Sequence, residues 1–223
     1  MTESIQIKNQ NFIMHASGVL FWEAQSMLLI SDVHLGKVSH FRKFGAAVPQ
    51  KAIQKNFDLL HKVVAFFKPN TIVFMGDLFH SSINKEWELF EKWSAAISSK
   101  IMLVSGNHDI ISPLKYEDLG IAIVLELQLK GFLLTHHPEE RDGYFNFAGH
   151  IHPAVKLTGL GRQSVRLPCF FKKKNQMILP AFGEFTGTYT MNLTADCEAY
   201  ALLGDAVLKV PVRETQKRNG HYK

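Results

Sequence analysis

Four apolar runs in this chain, Met27-Leu-Leu-Ile30, Thr71-Ile-Val-Phe-Met75, Ile101-Met-Leu-Val104 and Gly131-Phe-Leu-Leu134, each end just before a short polar motif. The runs are short, bounded and rich in branched or aromatic residues, as buried strands are. The motifs that follow are Asp32-Val33-His34, Gly76-Asp77, Gly106-Asn107-His108-Asp109 and His136-His137, with a fifth, Gly149-His150-Ile151-His152, further on. In an open α/β sheet, ligands gather at the carboxyl ends of the strands, so the motifs are expected to converge on one edge. Asp, Asn and His are the oxygen and nitrogen donors that suit first-row divalent ions. Seven such side chains on one edge are more than one ion needs, which points to a two-metal hydrolase.

The five motifs in this order resemble the calcineurin-like metallophosphoesterase superfamily, over about residues 28 to 190. The resemblance implies a four-layer α-β-β-α sandwich, two packed mixed β-sheets flanked by helices. It implies two divalent ions, one held by Asp32, His34 and His152 and the other by Asn107, His136 and His150, with Asp77 bridging them. A bridging carboxylate can hold ions about 3.5–4 Å apart, and coordination lowers the pKa of water enough to make it a nucleophile for in-line attack on phosphorus. His108 is implied to act as general acid or electrostatic stabiliser near the scissile phosphate, with Asp109 orienting its ring.

Two motifs depart from the common pattern. Gly76-Asp77-Leu78-Phe79-His80 has His80 where many members have a carboxylate, and this histidine either reaches substrate or caps the next helix. The fourth motif is His136-His137 rather than H-x-H; His136, which ends the strand, is the favoured ligand and His137 the alternative. Taken singly, the bland readings are strong, because Asp and Asn suit turns and helix caps without any function. Together they must account for five motifs in fixed order. His15, His40, His61 and His221 are read as core or surface histidines.

Looser stretches, Asp32-Val-His-Leu-Gly-Lys37, Phe41-Arg-Lys-Phe-Gly45, Leu167-Pro-Cys-Phe170 and Leu179-Pro-Ala-Phe-Gly183, together with Gly76-Asp-Leu-Phe-His-Ser81, resemble a cap-less bacterial subfamily. Its members are described as ligase-associated DNA damage response endonucleases or phosphodiesterases. That resemblance implies manganese as the usual metal, with iron or zinc as alternatives. It also implies DNA as the substrate, functional association with a DNA ligase and a helicase, and a role for His80; nothing between the motifs is long enough for a lid domain, and an open cleft favours a flexible single strand over a stacked duplex. The net charge of +5 favours a polyanionic partner. Lys37 and Arg42, directly after the first motif, are the candidates for phosphate contact; Lys43, Arg141 and Lys172-Lys173-Lys174 are other basic positions, the last run reading more simply as a hairpin turn. Phe170, Phe171 and Phe182 read as core in preference to base-stacking faces. The competing functions are a small-molecule phosphoesterase and a non-catalytic scaffold; the first calls for a closed pocket or helical cap, the second for lost ligands.

At 223 residues and 46% hydrophobic content the chain can bury a substantial core. A single domain is expected over residues 1–212, followed by a loose basic tail at 213–223. Two cysteines make no disulfide scaffold. The N-terminal stretch lacks a signal-peptide core, and nothing approaches the roughly 20 apolar residues of a membrane span, so a soluble, cytoplasmic protein without a membrane partner is expected. Pro49 is expected to open an amphipathic helix running to Phe67, with Ile53, Phe57, Leu60, Val64 and Phe67 on one face. A second helix is expected from Asn84 to Ile97, burying Trp87, Phe90 and Ser94. Strands are expected within Asn11–Trp22, as two segments over Ile121–Thr135, and at Ser164–Phe171, Gln176–Phe182, Tyr189–Leu193 and Glu198–Val210.

Overall fold

The structure, a computed structural model, describes residues 2–37, 51–159, 161, 163–183 and 186–211. Arg42, His40, His221 and the basic tail lie outside these residues.

Strands β1 (Thr2–Ile7), β2 (Gln10–His15), β3 (Leu20–Trp22) and β4 (Met27–Ile30) form an antiparallel meander. Helix α1 (Lys51–Phe67) leads to β5 (Thr71–Met75), helix α2 (Lys85–Ala96) to β6 (Lys100–Val104), and the short α3 (Pro113–Glu117) to β7 (Ala122–Val124). These strands add in parallel, giving one seven-stranded sheet in sequence order. After β7 the chain crosses to a second, nine-stranded sheet: β8 (Leu127–Leu129), β9 (Phe132–Leu134), β10 (Phe145–Ala148), β11 (Pro153–Thr158), β12 (Ser164–Lys173), β13 (Gln176–Ile178), β14 (Tyr189–Thr190), β15 (Glu198–Leu203) and β16 (Ala206–Lys209). The expected two strands over Ile121–Thr135 are therefore three, split between the sheets.

Alternation along β4 and β5 explains why their sequences are apolar without a break. Leu28, Ile30, Ile72 and Phe74 face the helices, packing with Ile53, Phe57 and Leu60 of α1 and with Trp87, Phe90 and Trp93 of α2. Leu29, Val73 and Met75 face the second sheet, together with Phe12 and Trp22. There the rings of Phe12 and Phe147 lie 4.9 Å apart and those of Trp22 and Phe132 4.8 Å apart. Each such buried side chain contributes about 1.5–3 kcal/mol. Phe170, Phe171 and Phe182 are fully buried, as the core reading expected.

The buried face of α2 carries Trp93, and Ser94 is only half-buried, its hydroxyl donating to the Glu91 carbonyl. Asn84 is the N-cap of α2, its side chain accepting from the Glu86 N–H at 2.8 Å, so His80 is not the cap. The outer face of the second sheet carries a smaller cluster, with Val155, Cys169, Phe171, Cys197 and Ala199. No described helix is long and apolar enough to cross a membrane.

Candidate metal centre

All five motifs lie in loops directly after strands, but the strands belong to both sheets. β4, β5 and β6 of the first sheet deliver Asp32, His34, Asp77 and Asn107; β9 and β10 of the second deliver His136, His150 and His152. The loops then lace together. The Asp32 N–H donates to the Gly76 carbonyl, His34 N–H to Asp77, Leu35 N–H to Leu78 and His80 N–H to Leu35. Asp32, His34, Asp77, His150 and His152 all have positive φ, between 49° and 67°, a region that residues other than glycine adopt infrequently. Close approach fixes the motif glycines: a Cβ on Gly149 would lie 1.8 Å from Ser31 Oγ, and one on Gly76 would lie 2.1 Å from the His136 ring.

The histidine tautomers follow from backbone carbonyls, which only accept. His34 Nδ1–H donates to the Asp32 carbonyl, His136 Nδ1–H to Met75 and His152 Nδ1–H to Gly187, each at 3.0 Å. The Nε2 lone pairs therefore point at other acceptors. His152 Nε2 is 3.3 Å from Asp32 Oδ1, and His34 Nε2 is 3.5 Å from Asp77 Oδ2. His136 Nε2 lies 3.0 Å from Asn107 Oδ1, 3.2 Å from His150 Nδ1 and 3.4 Å from Asp77 Oδ1. Electron pair faces electron pair at each contact with a carboxylate or the Asn107 carbonyl, and a cation between them satisfies these contacts at once. Asp32 Oδ1 is buried with no hydrogen-bond donor among the described residues, an orphan of the kind a metal would complete. Its other oxygen, Oδ2, accepts from Ser31 Oγ and from the His150 N–H.

The donors form two overlapping groups, Asp32 with His34 and His152, and Asp32 with Asp77 and His136. A third group unites His136, His137 and His150. Burial alone would raise the Asp77 carboxyl. Positive charge at the Nε2 atoms of His34 and His136, whether a proton or a cation, outweighs it together with the His108 N–H and holds the group well below the usual carboxylate range. The His150 pKa is lowered by burial and by its neighbours His137 and His136.

His108 is exposed at the mouth of the centre, its ring 4.7 Å from that of His80 and 6.1 Å from that of His34. His80 thus reaches the centre. Asp109 makes no hydrogen bond to the His108 ring. Its Oδ2 accepts from the N–H groups of Asp77 (2.9 Å) and Gly106 (2.8 Å), and its Oδ1 from Leu78 (2.9 Å) and Phe79 (3.2 Å). Burial pushes its carboxyl up against these four donors. Lys37 is half-buried; burial lowers its pKa while the Asp77 charge opposes this, and its own charge acts on His152.

Arg141 and Lys172 are engaged elsewhere, and Lys43 lies outside the described residues. Arg141 makes a two-pronged pair with Glu126 (2.8 and 2.7 Å) and bonds Glu139. Lys172 pairs with Glu198, and Lys174 sits in the β12–β13 turn, at the end of the sheet opposite the Gly149–His152 loop. The carbonyls of Met75 and Gly187, which set two tautomers, have no signature in the sequence, because every residue carries a carbonyl.

The sequence profile described as calcineurin-like phosphoesterase matches residues 26–181. Among solved structures, the chain is similar to the nuclease MPE of Pseudomonas putida, with 27% identity over 94% of this chain and 100% of that chain and a TM-score of 0.80. Weaker likenesses are to the phosphoesterase Yfce of E. coli (18% identity, 82% of this chain and 97% of that chain, TM-score 0.43) and to AQ665 of Aquifex aeolicus, a protein of unknown function (18%, 56% and 78%, TM-score 0.41). No curated protein sequence matches significantly.

Proposed function

This chain belongs to the calcineurin-like phosphoesterase family and is a divalent-metal-dependent phosphoesterase, and from that premise we propose that it is a manganese-dependent endonuclease acting on phosphodiesters of single-stranded DNA. The observation that carries the reading is the set of imidazole Nε2 atoms, their protons committed to backbone carbonyls, turned on the carboxylates of Asp32 and Asp77.

Asp32, His34 and His152 would hold one ion, and Asn107, His136 and His150 the other, with Asp77 shared through its two oxygens. When bound, the ions supply Lewis acidity at the phosphoryl oxygens and a nucleophile from water at neutral pH. The protein's own groups do the rest. Asp77 accepts a hydrogen bond from the His108 N–H, which favours its charged form. His108, anchored through that N–H at 2.9 Å, presents an exposed ring that can protonate or stabilise the leaving oxygen. Lys37 contacts a non-bridging phosphate oxygen, Arg42 a neighbouring one, and His80 backs His108.

A nucleic-acid substrate is supported by the likeness to the P. putida nuclease along nearly the whole chain and by the net charge of +5. We further propose manganese as the working ion, with iron or zinc the others this donor set accepts, and a cytoplasmic role in DNA repair beside a DNA ligase and a helicase. The test is manganese-dependent turnover of a circular single-stranded DNA, beside bis-p-nitrophenyl phosphate, with Asp77→Ala as control. Cutting of the circle, lost in the control, establishes an endonuclease, since a circle has no end. Turnover of the ester with an intact circle would shift the substrate to a small molecule.

A further inference from the structure

His137 is outside the seven-residue ligand set, but its exposed imidazole lies against it. Its ring centroid is 4.0 Å from that of His150 and 4.8 Å from that of His136. One ring nitrogen each of His136, His137 and His150 fall within 4.8 Å of one another. His136 can offer only Nε2, since its Nδ1–H serves the Met75 carbonyl. That same Nε2 faces Asn107 and Asp77, so the trio and the second metal position have this atom in common.

The turn carrying His137 is also held from beneath. Thr135 Oγ1 donates to the His137 carbonyl at 2.7 Å and accepts from Asn146 Nδ2 at 2.8 Å, while Asn146 Oδ1 accepts from the Glu139 N–H at 3.0 Å. Asn146 is buried in β10 between Phe145 and Phe147, where an apolar strand would ordinarily carry no amide. Such a network locks the backbone on both sides of His137, which is the support a metal ligand needs.

We propose that His137 is a further ligand of the second metal position, joining His136, His150, Asn107 and the shared Asp77. This rests on the two-metal reading given above and deepens it. The two positions then differ in kind. The first has two imidazoles and its own carboxylate, Asp32, besides Asp77. The second has three imidazoles, an amide oxygen and only the shared carboxylate. Imidazole suits zinc and iron, whereas carboxylate suits manganese and magnesium. The second position therefore prefers zinc to manganese more strongly than the first does.

The test is equilibrium dialysis of the metal-stripped full chain, His137→Ala and His137→Gln against zinc and, separately, manganese, with bound metal counted by elemental analysis and folding checked by circular dichroism. The wild type should bind two ions. Both variants should keep one ion at wild-type affinity and bind the second zinc roughly 10- to 100-fold more weakly, at least the loss seen when a supporting group of a ligand is removed. Manganese should be affected less. Two zinc ions bound with wild-type affinity in both variants would overturn the assignment of His137 alone. Fewer than two ions in the wild type would overturn the two-metal reading, and this inference with it.

Discussion

The backbone N–H of Asp77 donates to Asp109 Oδ2 at 2.9 Å, and the residue before Asp109 returns the contact, His108 N–H donating to Asp77 Oδ1 at 2.9 Å. Asp109 thus acts on the centre by tying the loop after β5 to the loop after β6. Asp109→Ala should strand four N–H donors, costing about 2–4 kcal/mol of stability. It should also weaken the second ion, because Asn107, its proposed ligand, sits in the released loop. Urea unfolding and metal counting check both; a variant with wild-type stability would remove Asp109 from this role.

His108→Ala should leave the metal content unchanged and slow phosphodiester cleavage by roughly 10²–10⁴-fold, the range for positioned acid–base groups. Among the described residues the exposed ring makes no hydrogen bond, so the melting temperature should stay put. Loss of an ion from this variant, seen by elemental analysis, would make His108 a ligand.

Metal binding should stabilise the fold through linkage, by about 2.7 kcal/mol at a free ion concentration 100 times the dissociation constant. Asp77→Ala should abolish most of this gain, because both proposed positions use that carboxylate. Thermal melts with and without manganese give the answer; an equal shift in both proteins would place the stabilising ion elsewhere.

Lys37→Ala should weaken single-stranded DNA binding and flatten its salt dependence, lowering the magnitude of the log–log slope by about 0.7, one phosphate contact on a single strand. Replacing Lys173 and Lys174 should change little, because their turn lies at the far end of the sheet. Fluorescence anisotropy over a salt series separates the two; the reverse pattern would move the DNA path to the hairpin.

Glu198 accepts from Lys172 (2.7 Å), Lys209 (2.6 Å) and Tyr200 (2.8 Å), and these partners hold its carboxyl down at about 2 against the ordinary 4.5. A lowered native pKa gives stability that is complete above pH 4.5 and is lost as the pH falls towards 2. The cluster is partly exposed, which limits its worth to about 0.5–1 kcal/mol. Glu198→Gln should cost that much at pH 7 and nothing near pH 2, as read by urea unfolding across the pH series.

What the sequence disclosed was what periodicity and fixed motifs encode. The runs ending at Ile30, Met75, Val104 and Leu134 are all strands, and α1 spans the expected apolar stripe. Strand β1 escaped notice because it is an edge strand, mostly exposed, paired through its backbone with little apolar alternation. Ser94 was mistaken for the buried position of α2 because both it and Trp93 fit a helical repeat following Phe90. The convergence of the proposed donors was legible, but what supports them was not. Asp109 serves backbone amides, the tautomers are set by carbonyls, and Arg141 is absorbed by Glu126 and Glu139, all matters of tertiary placement.

The division of the donors between two sheets has a consequence for biosynthesis. Asp32 and the His150 N–H that caps it stand 118 positions apart. A chain still being translated displays its first two motifs long before the second sheet can close over them, and so has no finished cage to offer an ion. For the proposed ligand set, metal capture waits for β9 and β10 to dock, and a loaded centre certifies that the two halves have been assembled.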